Sequence, residues 1–350
     1  MRSAHLLTVC LLVSLAITVV SADVAADPDP SLADAEDAFA ALERSRAMLV
    51  LVDGEPVIQR VVDGPDLETP VNIKSLSKVV IGALVGAAID RDVFAGTGQP
   101  VSELLGERVP EDADARVNDI TVGHLLSMQS GLARTSGANY GAWVASDDWV
   151  AYVLRREFVD EPGGRMGYST GNSHLLSAAL VEQTGESTLA LARAWLGAPL
   201  EVTIPDWLQD PQGIHFGGNE MRLSPRALAR FGEMIRHGGT LGGQQVLSAD
   251  WIEESLTPRT RSRFNNDRYG YGWFMTELEG YTAYYGWGFG GQMLYVIPEL
   301  ELTAVMTSDP TPPSSGTTYL HRLEQVVSEH LIPAVAAQSS PGARASSPGP

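Results

Sequence analysis

The chain has 350 residues, 44% of them hydrophobic and 19% charged, which is enough for one or two sizeable cores. Its formal charge of -19 and the absence of any basic run exclude a non-specific nucleic-acid binder. The only cysteine is Cys10, inside the apolar N-terminal segment, so no disulfide, thiol nucleophile or thiolate metal site is expected beyond it.

At the N-terminus Arg2 and His5 precede the apolar run LLTVCLLVSLAITVV, and VSA (Val20 to Ala22) is a small-residue cleavage site. The run is short for a bilayer span of ~20 residues. It reads as a signal peptide over 1–22, so the chain is expected to be exported to the periplasm or the exterior, without a membrane anchor after cleavage. A polar linker over 23–35 follows. AMLVLVDGEPVIQRVV (Ala47 to Val62) holds two β-rich runs around a DGEP turn, a hairpin signal.

From Val71 to about Gly239 the signals are helical. HLLSMQSGL ends at Gly131, DDWVAYVLRREF is amphipathic, and NSHLLSAALVEQTG closes on a C-cap glycine. SPRALARFGEMIRHGG opens with an N-cap serine and a proline. From Tyr269 short strands return: YGYGWFM, YTAYYGW, QMLYVI and LTAVMTS. A last helix, TTYLHRLEQVVSEHLI, precedes a tail of disordered composition. The fold class is therefore α+β: an antiparallel sheet built from both chain ends, flanked by N- and C-terminal helices, with a mainly helical insertion. The boundaries are 36–71 plus 245–334 for the α/β part, 72–244 for the helical part and 335–350 for the tail.

Of 24 basic residues only Lys74 and Lys78 are lysines. Arginine stays protonated at any working pH, whereas a buried lysine can lose its proton. Ser75-Leu76-Ser77-Lys78 is an S-x-x-K opening an apolar helix, and residues three apart share a helix face. Ser75 and Lys78 can thus meet, with the buried amine activating the hydroxyl without histidine. Ser77 reads as a helix-face residue, and Lys74 as solvated or paired with an acid.

GYSTG (Gly167 to Gly171) matches the G-x-S-x-G nucleophile elbow, with Ser169 as nucleophile. The loop-like VDEPGGRM before it is no strand, which argues against an elbow. Tyr168 in the same stretch is a candidate proton relay to a serine, its pKa lowered by a cationic neighbour. YYGWGFGGQ (Tyr284 to Gln292) is a glycine-rich strand end, able to approach a ligand and to supply oxyanion donors from Gly288, Phe289 and Gly290, or simply a β-turn. The aromatic cluster of Tyr269, Tyr271, Trp273, Tyr284, Tyr285, Trp287 and Phe289 reads as partly sheet core and partly cleft. His124 and His174 are expected to pack or cap. The seven histidines show no ligand spacing, so neither a metal nor another cofactor is expected.

These elements, in this order, resemble the class C β-lactamase-like serine hydrolases of the penicillin-recognising superfamily, near esterases and 6-aminohexanoate-dimer hydrolases. ITVGHLLSMQSGL (Ile120 to Leu132) is similar to that group's I-T-V-x-H-L-L-x-x-x-S-G-L segment, and the likeness runs from about Arg46 to Leu331. It implies a β-lactamase/transpeptidase-like fold, Ser75 as nucleophile, Lys78 as general base and Tyr168 as the tyrosine of a Y-x-N motif. Two departures stand out. Thr170 occupies the Y-x-N asparagine position, with Asn172 the nearest asparagine, and Trp287 stands where β-lactamases carry a Lys or His, where it is expected to line an apolar substrate pocket. Arg165 is the one nearby cation that could substitute. The departures favour an ester, an amide or a short peptide as the small-molecule substrate, cleaved through acyl-Ser75. The alternatives are a β-lactamase, a D-amino-acid peptidase or a catalytically lapsed penicillin-binding homologue.

Overall fold

The computed structural model describes residues 30–313 and 316–339. The signal-peptide reading and Cys10 lie outside the described residues. An eight-stranded antiparallel sheet forms the centre. Its strands are β1 (Ser45–Val52), β2 (Glu55–Val61), β3 (Thr260–Arg261), β4 (Arg268–Tyr269), β5 (Phe274–Leu278), β6 (Tyr281–Gly288), β7 (Gln292–Ile297) and β8 (Leu302–Ser308). Their spatial order is β2-β1-β8-β7-β6-β5-β4-β3. Both chain ends therefore contribute to one sheet, joined where β1 pairs with β8. The expected hairpin is present. Asp53 and Gly54, with φ of 51° and 78°, form the tight turn between β1 and β2.

The continuous apolar runs of β7 and β8 have a simple cause: the sheet is covered on both faces. Leu49, Leu294, Val296 and Val305 point into one core, with the helical part of the chain. Met48, Val50, Met293, Tyr295, Ala304 and Met306 alternate into a second core under the terminal helices. That second layer is α1 (Leu32–Ala40) against a C-terminal helical run, Thr318–Gln325, Val326–Leu331 and Ile332–Ser339. Two expected boundaries move. Ser31 and Asp34 form a capping box that starts α1 inside the stretch assigned to the linker. The last helix runs to Ser339 with Val335 buried, so the tail does not begin at 335.

On the other face, α2 (Ser77–Ile89) is buried on all sides from Ser77 to Ala88, as its uninterrupted apolar sequence requires. The helix α3 (Thr170–Thr184) packs against it and ends at Gly185, with φ of 70°. The helix α4 (Pro225–Arg236), capped by Ser224, lies on β1, β7 and β8. Its Glu233 and Arg236 form a buried bidentate pair, and Glu233 also accepts from Thr303 of β8. Among the described residues no helix is long and apolar enough to cross a membrane.

Candidate active site

Ser75 lies in a 3-10 turn, Lys74–Leu76, just ahead of α2. The turn is pinned by its neighbours. Ile73 N–H donates to the Met221 carbonyl, and Asn72 Oδ1 accepts from Lys74 N–H at 2.9 Å. Lys74 itself sits in the left-handed region, with φ of 51°, a conformation an L-residue adopts only where its surroundings enforce it. Its amine pairs with Glu220 at 3.0 Å, and Glu220 also accepts from Asn72 Nδ2 at 2.6 Å. Lys74 is thus the lysine that pairs with an acid. Ser77 turns away and donates to the Lys74 carbonyl at 2.5 Å.

Lys78 is different. It is 4% exposed, and no carboxylate faces its amine. Nζ lies 2.7 Å from the Gly218 carbonyl, 3.3 Å from Thr170 Oγ1 and 3.1 Å from Ser75 Oγ. Burial lowers its pKa to about 7. In the neutral form, two N–H groups go to Gly218 and Thr170, and the lone pair is left for the Ser75 hydroxyl. Gly218 has φ of 79°, and a Cβ there would stand 2.8 Å from Lys78 Cγ, so glycine is what lets this carbonyl reach the amine.

Tyr168 stands over the same centre, its ring centre 4.9 Å from Lys78 Nζ. Burial pushes its phenol up to about 12, and the Ser75 hydroxyl offsets only part of the rise. This corrects the expected lowering by a cation: desolvation wins, and the phenol stays protonated at neutral pH. Ser169 is no elbow nucleophile. It has an extended backbone, is buried, and its hydroxyl accepts from Thr135 N–H at 3.0 Å. Thr170, at the Y-x-N asparagine position, is the group that reaches Lys78, and it contacts Ser136 Oγ at 3.0 Å. Asn172 points elsewhere, to Ser130.

The end of β6 closes the site. β5 stops pairing at Tyr285, which leaves one edge of Gly286–Gly288 without a strand partner. A Cβ at Gly288 would stand 2.2 Å from the Ile73 carbonyl, so the strand end abuts the Ser75 turn. Gly290 turns away, its φ of 82° packed against Pro310. A cavity of about 440 Å³ opens on Ser75, with Lys74, Tyr140, Tyr168, Thr170, Glu220 and Phe289 in its wall. Phe289, just past the end of β6, joins Tyr140 and Tyr168 in its wall, and Trp287 does not line it but packs edge-on against Phe264. Arg165 is solvated and paired with Asp160, outside this cavity.

Most of the aromatic cluster is sheet core, with Phe274, Tyr285 and Tyr295 stacked under the terminal helices. His124 caps its own helix through Thr121. His174 is buried, bonded to Asp210 at 2.9 Å, and its Nδ1 accepts from Gly217 N–H at 3.3 Å, next to the carbonyl that holds Lys78. Among the described residues no group of three or more His, Cys, Asp or Glu could hold a metal ion.

Sheet, helical layer and the buried Lys78 amine beside Ser75 together define a hydrolase of the β-lactamase/transpeptidase fold. A family model for beta-lactamases matches residues 33–327, and the chain belongs to the beta-lactamase family. The 6-aminohexanoate-dimer hydrolase of Paenarthrobacter ureafaciens is 27% identical over 277 residues, covering 72% of this chain and 69% of that protein. A family VIII carboxylesterase superposes with a TM-score of 0.65 at 19% identity, covering 84% of this chain and 96% of that one. A D-stereospecific amidohydrolase from Streptomyces sp. gives 0.66 at 14% identity, covering 85% and 98%. An octameric penicillin-binding protein homologue from Pyrococcus abyssi gives 0.61 at 19% identity, covering 79% and 72%. These structural likenesses concern the fold.

Proposed function

We propose that this chain is an exported serine hydrolase that cleaves a small-molecule ester, amide or short peptide through an acyl-Ser75 intermediate. The observation that carries the reading is the surrounding of Lys78 Nζ: two acceptors for its protons and the Ser75 hydroxyl at 3.1 Å. Neutral Lys78 takes the Ser75 proton as Oγ attacks the substrate carbonyl. The Ser75 N–H and an N–H of the Gly288–Gly290 strand end receive the developing oxyanion. Tyr168 gives its proton to the departing amine or alcohol. The tyrosinate, a far stronger base than Lys78, recovers a proton from the Lys78 ammonium. Water then attacks the acyl-enzyme by the same steps in reverse, which returns the proton to Ser75. The relatives' names span ester and amide substrates, a 6-aminohexanoate dimer among them. Export rests on the charged, apolar and small-residue pattern of residues 1–22.

Labelling with a fluorophosphonate, followed by peptide mapping, tests the mechanism. Ser75 is expected to carry the label, Ser75→Ala to lose label and turnover, and Ser169→Ala to keep both. A label on Ser169 sinks the reading. An ester and amide panel then orders the substrates. N-terminal sequencing of secreted protein tests export, and a start at Met1 would refute cleavage.

A further inference from the structure

Tyr168 lines a second cavity as well, of about 370 Å³, together with Arg134, Met166, Gly167, Arg263 and Phe264. No acid stands in its wall. In a chain of charge -19 most guanidiniums are engaged, by carboxylates, carbonyls or rings. Among the described residues only Arg60, Arg134 and Arg263 have a guanidinium without such a partner. Two of these three therefore line one small cavity that shares a wall with the Ser75 site. Both arginines are exposed, so nothing in the fold requires them to face it.

We propose that this cavity binds a carboxylate carried by the leaving group of the substrate. The placement rests on the acyl-Ser75 reading: Tyr168 protonates the departing atom, so the departing half lies over Tyr168 and extends into the cavity that Tyr168 also walls. Guanidiniums match a carboxylate in plane and take it bidentately. Met166 and the half-exposed Phe264, edge-on to Tyr168 with ring centres 5.7 Å apart, flank the apolar spacer between carboxylate and scissile bond. The substrate class that fits is an amide or ester whose amine or alcohol half ends in a free carboxylate: an N-acyl amino acid, a short peptide with a free C-terminus, or a linear ω-amino-acid amide. A neutral alkyl ester uses the Ser75 cavity alone.

The test compares p-carboxyphenyl butyrate with its methyl ester, in wild type, Arg134→Gln, Arg263→Gln and the double variant. The readout is the ratio of the two kcat/KM values. Wild type is expected to favour the carboxylate, mainly through KM. Each single variant should cut the ratio about fivefold and the double variant at least about tenfold, modest values because both arginines are solvated. Raising sodium chloride to about 1 M, where the Debye length is about 3 Å, should lower the wild-type ratio and leave that of the double variant in place. Calorimetry of p-hydroxybenzoate against its methyl ester reads the same preference without turnover. If the ratio and the carboxylate affinity are unchanged in the double variant, this inference is overturned while the hydrolase reading stands. If neither ester is hydrolysed but carboxylate affinity depends on both arginines, the site stands and the acyl-Ser75 reading falls.

Discussion

Replacing Lys78 by methionine removes the one buried amine of the described chain and gives its cost a pH signature. Burial takes the ammonium from 10.5 to about 7. Above about 7 the folded chain releases this proton, whereas the unfolded chain keeps it up to 10.5. Across that window the unfolded state binds more protons, so wild-type stability rises with pH. Below about 7 both states are protonated and the folded state carries the whole penalty, about 5 kcal/mol at about 1.4 kcal/mol per unit. Methionine packs differently, but its packing does not titrate. The stability difference between Lys78→Met and wild type should therefore favour the variant most at pH 6 and shift by about 4 kcal/mol towards wild type by pH 10. Urea unfolding of both proteins at pH 6, 8 and 10 measures it. Turnover should follow the same proton. The kcat/KM of a neutral ester rises with pH to a plateau above about 7, and lies roughly tenfold below it at pH 6. Tyr168, pushed up to about 12, adds no falling limb below pH 10. A stability difference independent of pH would refute the buried titration. A kinetic limb in the usual carboxylate range would take the role of base away from Lys78.

Three further outcomes follow from packing. Gly288→Ala places a methyl 2.2 Å from the Ile73 carbonyl, so the strand end must part from the Ser75 turn; turnover should fall at least about tenfold and urea stability by about 2 kcal/mol, and retention of both would disprove the contact. Glu233→Gln leaves Arg236 buried without its counter-charge and should cost about 3 kcal/mol in the same unfolding assay, with a loss under 1 kcal/mol counting against a dry pair. His174→Phe keeps the edge-on ring packing against Trp149 and Phe216 but releases Gly217 and Asp210; it should lower kcat about tenfold and move the pH limb, because the Gly218 carbonyl no longer holds Lys78, and an unmoved limb would restrict His174 to the core.

The parts of the site that share one stretch of chain were legible, and the parts that do not were hidden. Ser75 and Lys78 show in the sequence because they are three apart. That spacing survives even though Ser75 sits in a 3-10 turn and not in the helix, since a 3-10 turn also brings residues three apart onto one side. Gly218 and Thr170 complete the amine's surroundings from 140 and 92 residues away. One acts through a backbone carbonyl, which no side-chain pattern marks. The sheet was readable from short, β-rich apolar runs between turn residues, because both its faces are buried. The same burial hid which aromatics reach the cleft: Tyr285 and Trp287 share the face under the terminal helices, and only the chain reversal after Gly288 brings Phe289 round to Ser75.

The two lysines, four residues apart, separate the requirements that arginine meets from those it does not. Lys74 stands in the cavity wall with its amine 3.0 Å from the Glu220 carboxylate. An arginine could serve that pairing, and its fork would suit the carboxylate. Lys78 has only neutral groups around it, so the fold stabilises its charge no further than a carbonyl, two hydroxyls and the Tyr168 ring allow. Adding a carboxylate there would secure the ammonium and end its use as a base. Removing the acceptors would leave the amine free to turn from Ser75. The arrangement holds the position of the nitrogen while leaving its proton loose, which is the one task a guanidinium cannot perform.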